Sequence, residues 1–265
     1  MGLYNNRIVV KVGTSTLTND AGKSDLRTTD RLACVLSDIQ NMGYEVVLVS
    51  SGAIAVGRNK LNMTAKPDSM RMKQAAAAVG QCSLMYLYDK FFGDYDKTVA
   101  QILLNADDIE EEEIKENLIN TFNALLEMGV IPIVNENDSV SYKEIESEDR
   151  LFGDNDMLSA VVAVLCRAKH LVIFSDIDGF YDHDPRLYPN AQLIDQIDTI
   201  DDSVYALAGG AGSRRGTGGM RTKLQAASLA TSQGTNTIVT NGKRPEVLYD
   251  IVKGGRVGTL FPGKI

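Results

Sequence analysis

Residues 7–13 read RIVVKVG, a β-branched run interrupted once, by Lys11, and closed by Gly13. Side chains of this kind favour a buried strand. A lysine inside such a strand is costly unless its ammonium finds an anion or open solvent. Two arrangements meet that requirement. The strand could lie at a sheet edge with the lysine stem laid along apolar surface and its head in water. Alternatively, the strand is interior and Lys11 meets a bound anion, with Gly13 leaving room for the ligand to approach. The first strand therefore raises both the fold question and the functional one.

Working outward, the same kind of run recurs. EVVLVS (45–50), TVAQILL (98–104), VIPIVNE (130–136), HLVIFSD (170–176) and TNTIVT (235–240) are further strands. Helical patterns separate them. Leu26, Leu32, Val35, Leu36, Ile39 and Met42 share one face of a helix that stops at Gly43. Helices are also expected over 69–92, around 115–128, over 156–168, over 220–233 and from Pro245. Strands that are apolar throughout, alternating with helices, imply an α/β fold with a largely parallel sheet covered on both faces.

The composition narrows the function. A formal net charge of −8 over 265 residues argues against a general nucleic-acid binder, which shows a basic footprint. The N-terminal apolar run is too short and too interrupted for a signal peptide, and no stretch approaches a membrane-spanning length. Cys34, Cys82 and Cys166 are widely spaced and odd in number, which favours buried free thiols in a reducing cytoplasm over disulfides or a metal site. With only His170 and His183, histidine-based chemistry has little scope. The acidic run DDIEEEEIKE (107–116) reads as a solvated helix start.

In an open parallel sheet, ligands gather at the carboxyl ends of the strands. KVGTS (11–15), SSGA (50–53), NEND (135–138) and SDIDGFYDHDP (175–185) all follow strands, and GTGGMRTK (216–223) opens a helix. The glycines of the last segment allow a close backbone approach, and a helix N-terminus attracts anions. It is not a P-loop, since Lys223 is followed by Leu224 rather than Ser or Thr. A flexible turn with a surface lysine would look the same. GDNDMLSA (153–160) places Asp154, Asn155 and Asp156 at a helix start, where one of them would serve as a cap. Asn135, Asn137 and Asp138 offer both donors and acceptors, a set suited to a small zwitterion.

The segments VVKVGTS, VSSGAIAVG, VNEND, FGDNDMLSA, DGFYDHDPR and GTGGMRTKLQAA together resemble the amino acid kinase family, in its glutamate 5-kinase branch. The likeness runs from about Val9 to Phe261. It implies a three-layer α/β/α sandwich and an ATP-dependent phosphorylation of the side-chain carboxylate of L-glutamate, the first step of proline biosynthesis. By motif, Lys11, Ser175, Asp176, Thr217, Gly218, Gly219, Met220, Arg221, Thr222 and Lys223 would contact ATP. Ser51, Asp138 and Asn155 would bind glutamate, and Asp156 would hold Lys11 and Lys223 in place. The resemblance also implies Mg²⁺ carried with ATP, L-proline as a feedback inhibitor and a cytoplasmic setting.

Two departures accompany it. Many relatives carry a C-terminal PUA domain, whereas residues 1–265 are expected to form a single kinase domain. Many also have a lysine just before the (F/V)GDND motif, where this chain has Leu151 preceded by Arg150, within a longer 139–152 segment. The apolar content of residues 70–92 is compatible with a homo-oligomer. The competing readings are an aspartate or acetylglutamate kinase and a non-catalytic nucleotide sensor on the same fold. Against a sensor stands the presence of both Lys11 and Lys223.

Overall fold

The computed structural model describes residues 4–19, 23–105, 107–140, 155–208 and 219–264. Seven strands form one sheet: β1 (Tyr4–Val12), β2 (Glu45–Ser50), β3 (Val99–Leu104), β4 (Ile131–Glu136), β5 (Ala168–Ser175), β6 (Asn236–Asn241) and β7 (Thr259–Phe261). Their order is β3-β4-β2-β1-β5-β6-β7. Every neighbouring pair is parallel except β6 and β7, which are antiparallel. Because β1 is bonded to β2 on one side and β5 on the other, Lys11 stands in the middle of the sheet. The edge-strand explanation of this lysine is thereby excluded.

Strand side chains alternate between the two faces of a sheet, and β1 divides the core accordingly. Ile8, Val10 and Val12 pack on one face with Leu36 from α2 (Leu26–Asn41) and Tyr88 and Phe92 from α4 (Met70–Gly93). Val9 packs on the other with Phe122 from α5 (Glu112–Glu127), Leu158 from α6 (Asn155–Leu165) and Leu224 from α8 (Met220–Ser232). The result is the three-layer sandwich. Lys11 shares parity with Val9, so it faces α6 and α8.

Local chemistry sets the ends of these elements. Asp25 caps α2 by accepting from the Thr28 amide at 3.0 Å, and Gly43, at φ 93°, ends it. The acidic run begins α5 with Glu112 and Glu113 in its first turn, where acids suit the helix dipole. A further helix, α3 (Ala53–Lys60), lies directly against α4. A Cβ built on Gly57 would come within 1.7 Å of the Ala76 carbonyl oxygen, and one on Gly80 within 1.7 Å of that of Ala53. The two helices therefore touch backbone to backbone, which only glycine permits.

Several sequence expectations need correction. Leu26 and Met42 are 52% and 47% exposed, so the buried face of α2 is confined to its middle. Cys166 is buried, but Cys34 is only half-buried and Cys82 is exposed on α4. Four short elements were not read from the sequence: α1 (Thr14–Leu17), α3, α7 (Asp202–Ala208) and β7. The expected strand 170–176 begins earlier, at Ala168, and cuts short the preceding helix at Leu165. Among the described residues, no helix is long and apolar enough to cross a membrane.

Candidate functional site

The chemistry collects at the carboxyl ends of β1, β2, β4 and β5. Asp156, the second residue of α6, is fully buried. One of its carboxylate oxygens, Oδ1, lies 2.6 Å from Lys11 Nζ. The other, Oδ2, lies 2.9 Å from Lys223 Nζ and 3.0 Å from the Thr222 hydroxyl. Both lysines are themselves buried, at 5% and 7% exposure. Burial alone would push the Asp156 carboxyl up. The charges of Lys11 and Lys223 outweigh it and hold the group well below the usual carboxylate range. Two cations from β1 and α8 thus converge on one carboxylate from α6.

The surroundings keep this cluster approachable. A Cβ on Gly13 would lie 3.6 Å from Lys11 Nζ, so glycine leaves the flank of that ammonium clear. Gly219 starts α8 with no side-chain cap, which suits the open amides of that helix end to an anion. Lys223, in the first turn of α8, points inward to Asp156 and not to the surface. The reading of 216–223 as a turn with a surface lysine therefore fails. Met220 is half-buried and Arg221 exposed. Thr217 and Gly218 lie outside the described residues.

A second cluster begins one residue before Asp156. The Asn155 amide nitrogen donates toward the Ser50 carbonyl at 2.7 Å, Ser51 Oγ at 2.7 Å and Asn135 Oδ1 at 2.9 Å. Asn155 and Ser51 are therefore in direct contact. Gly52, at φ 97°, turns the chain from Ser51 into α3 in the left-handed region that favours glycine. Behind this loop the buried Ser50 hydroxyl lies 2.8 Å from the Tyr88 hydroxyl. Burial pushes the Tyr88 phenol up, so it stays a neutral hydrogen-bonding group. Asp138 lies in the turn after β4, on the wall of a small open pocket shared with Ala53, Gln81, Glu136 and Ser139.

The third group lies on the neighbouring strand. Ser175 ends β5 and is buried, while Asp176 is exposed and accepts from the Ser175 hydroxyl at 3.3 Å. The Ser175 carbonyl accepts from the Gly242 amide after β6 at 2.9 Å, which ties the two strand ends together. Ser175 and Asp176 lie at the end of β5, the strand paired with β1, and so stand beside Lys11 along the sheet. Asn135 was read from the sequence as part of a set suited to a small zwitterion, whereas Gln81 was given no role. Asn135 carried a signal, as a polar residue at the end of an apolar strand, but Gln81 looked like one polar residue in an alanine-rich helix.

Two lysines thus meet one buried carboxylate at the carboxyl end of a parallel sheet, beside a cluster of amides and hydroxyls. The chain belongs to the amino acid kinase family, whose model matches residues 6–241. It is 55% identical over 258 residues to the glutamate 5-kinase of Clostridium perfringens, covering 97% of this chain and 96% of that one. It is 51% identical to the glutamate 5-kinase of Listeria innocua, covering 97% and 93%. Among solved structures, carbamate kinase from Giardia lamblia bound to AMP-PNP matches with a TM-score of 0.68 at 15% identity, covering 97% of this chain and 98% of that one. UMP kinase from Ureaplasma parvum matches at 0.65 and 17%, covering 98% and 100%. The latter two establish the fold alone.

Proposed function

We propose that this chain transfers the γ-phosphoryl group of ATP to the side-chain carboxylate of L-glutamate, giving L-glutamyl 5-phosphate and ADP, the first step of proline biosynthesis. The observation that carries the reading is Asp156 holding Lys11 and Lys223 on its two oxygens. The glutamate 5-kinases to which the chain is similar supply the substrate.

The acceptor carboxylate is already ionised near neutral pH, so the reaction needs no general base. A carboxylate oxygen forms the new bond to the γ-phosphorus, the bond to the β–γ bridging oxygen breaks, and ADP leaves with that electron pair. The obstacle is the approach of one anion to another. Positioned positive charge overcomes it. Lys11 and Lys223 stand at the transferring group and the leaving phosphate, and the amides of Gly219 to Thr222 assist. Asp156 fixes the two ammoniums before substrate arrives, so little reorganisation remains. Ser175 and Asp176 lie on the nucleotide side, with Ser51, Asp138 and Asn155 on the amino-acid side.

The cationic donor set fits the phosphates of a nucleotide and not a bare metal ion. Mg²⁺ would come with the phosphate oxygens and water and would supply charge neutralisation there. The same proposal places the enzyme in the cytoplasm and makes L-proline an inhibitor competitive with glutamate. Proline carries the α-carboxylate and ammonium that Asp138 and Asn155 would read. Assembly into a homo-oligomer is proposed on the exposed Met72 and Tyr86 of α4, and sedimentation checks it.

One experiment tests the central reading: ADP release with glutamate, aspartate, acetylglutamate or UMP as acceptor. Release is expected with glutamate above the other three. Preference for another acceptor, or ATP binding with no release, would overturn it.

A further inference from the structure

The amides around the amino-acid side form a relay whose polarity is set at both ends by the backbone. Asn155 Nδ2 faces the Ser50 carbonyl at 2.7 Å, and a carbonyl only accepts. The nitrogen of Asn155 is fixed by that contact. Asn135 Oδ1 accepts from the Glu136 backbone N–H at 2.9 Å, and that group only donates. The same Oδ1 takes the Asn155 bond at 2.9 Å. Asn135 must then turn its Nδ2 away, toward Gln81 Oε1 at 2.8 Å. Asn135 is buried, so the relay has no water to compensate a reversed amide. Gln81 is the last member, and its oxygen is already taken. Gln81 lines the pocket, and the polar group it has left to offer there is its Nε2, with two N–H donors.

That pocket also carries Asp138 and Glu136. Two acids suit an ammonium but repel a carboxylate, so a zwitterionic ligand needs a donor there as well. We infer that Gln81 is a specificity residue of the amino-acid site, donating through Nε2 to the α-carboxylate of the substrate. The γ-carboxylate belongs near Lys11 and Lys223, and the relay leads away from them through Asn155. Gln81 is two amides further along the relay, at the far end of the same ligand. The inference rests on the kinase reading above and names a contact that the motifs do not include.

The test is Gln81→Glu. A glutamate side chain still accepts from Asn135 Nδ2, so the relay survives, but the donor becomes a repelling oxygen. The KM for L-glutamate should rise about 10–100-fold, the scale of a lost hydrogen bond to a charged group. The kcat and the KM for ATP should change less than about twofold. The second arm uses 4-aminobutyrate, which is glutamate without its α-carboxylate. The wild-type preference for glutamate over this analogue should shrink by a similar factor in the variant. Should Gln81→Glu fail to fold, Gln81→Met also removes the donor; the acceptor it takes from Asn135 weighs equally on both substrates, so the preference for glutamate over 4-aminobutyrate should still shrink. Equal losses on both acceptors would mean a merely structural role and overturn the inference, as would an unchanged KM. If wild-type protein releases no ADP with glutamate, the kinase reading falls first and takes Gln81 with it. Wild-type turnover with an unaltered variant sinks Gln81 alone.

Discussion

Strand β1 carries two buried cations four residues apart, Arg7 and Lys11, one toward each end of the sheet. Arg7 is 2% exposed and Lys11 5%, so burial does not distinguish them. Their partners do. Arg7 bonds Glu45 at 2.7 Å, Asn123 Oδ1 at 3.0 Å and the Cys166 carbonyl at 2.6 Å, and stacks on the Tyr4 ring at 4.1 Å. One cation there meets one carboxylate, with neutral acceptors and a ring filling the rest of its shell. At the other end two ammoniums both bond the carboxylate of Asp156. The closed end ties β1, β2, α5 and the turn after α6 together. The open end is where the proposed substrates would meet charge. A buried cation is thus structural or functional according to how its charge is matched, and the sequence shows only that it is buried.

The largest expected effect breaks the open end. Lys11→Met and Lys223→Met should each lower kcat about 10²–10³-fold, the usual loss for one preorganised charge, while circular dichroism and melting show a folded protein. A change below threefold for both would remove their assignment. Arg7→Met should do the reverse. Turnover of the folded protein should stay within about threefold, and urea denaturation should show a loss of roughly 1.5–3 kcal/mol, the scale of one bond to a charged group. Larger values for a buried pair do not apply, because Glu45 is a quarter exposed and water screens what Arg7 leaves behind. Should Arg7→Met cut kcat as deeply as Lys11→Met, the two ends would not be functionally distinct.

Within the open end, Asn155→Ala and Asp138→Ala should raise the KM for glutamate about tenfold or more, with the KM for ATP nearly unchanged. A rise for ATP alone would mean that the two subsites had been exchanged.

How much of this was legible follows from the physics of each element. The parallel strands were readable because both their faces are buried, which leaves unbroken apolar runs such as VVLV in β2. Lys11 stood out for the same reason: it interrupts such a run. Asp156 did not, since its partners lie 145 and 67 positions away along the chain and no spacing rule connects them. Only the family resemblance pointed to the trio. Helix α3 escaped notice because Gly57 counts against a helix, whereas here that glycine is what lets α3 and α4 touch. Helix α7 buries none of its residues, so it has no apolar stripe to read. Cys82 was misplaced because an alanine-rich helix does not declare which side is covered.

The smallest effect concerns pH, and it too separates the ends. His170 lies on β5, paired with Ile8 beside Arg7. Its Nδ1 is buried with no hydrogen-bond partner among the described residues. Burial, helped by the nearby charge of Lys169, pushes its pKa below the ordinary 6.5. The unfolded chain therefore binds the more protons below about pH 6.5, and stability rises with pH through that window. The contribution is complete above 6.5 and is lost as the pH falls through the folded value. One proton limits the slope to about 1.4 kcal/mol per pH unit. Asp156 is also lowered, but its window opens only below 3.8, so the site stays ionised while the closed end weakens. Urea midpoints at pH 7.5, 6.5 and 5.5 should fall for the wild type. His170→Phe, which removes both the titrating group and the unsatisfied nitrogen, should show a shallower dependence. Parallel slopes for the two proteins would locate the acid sensitivity elsewhere.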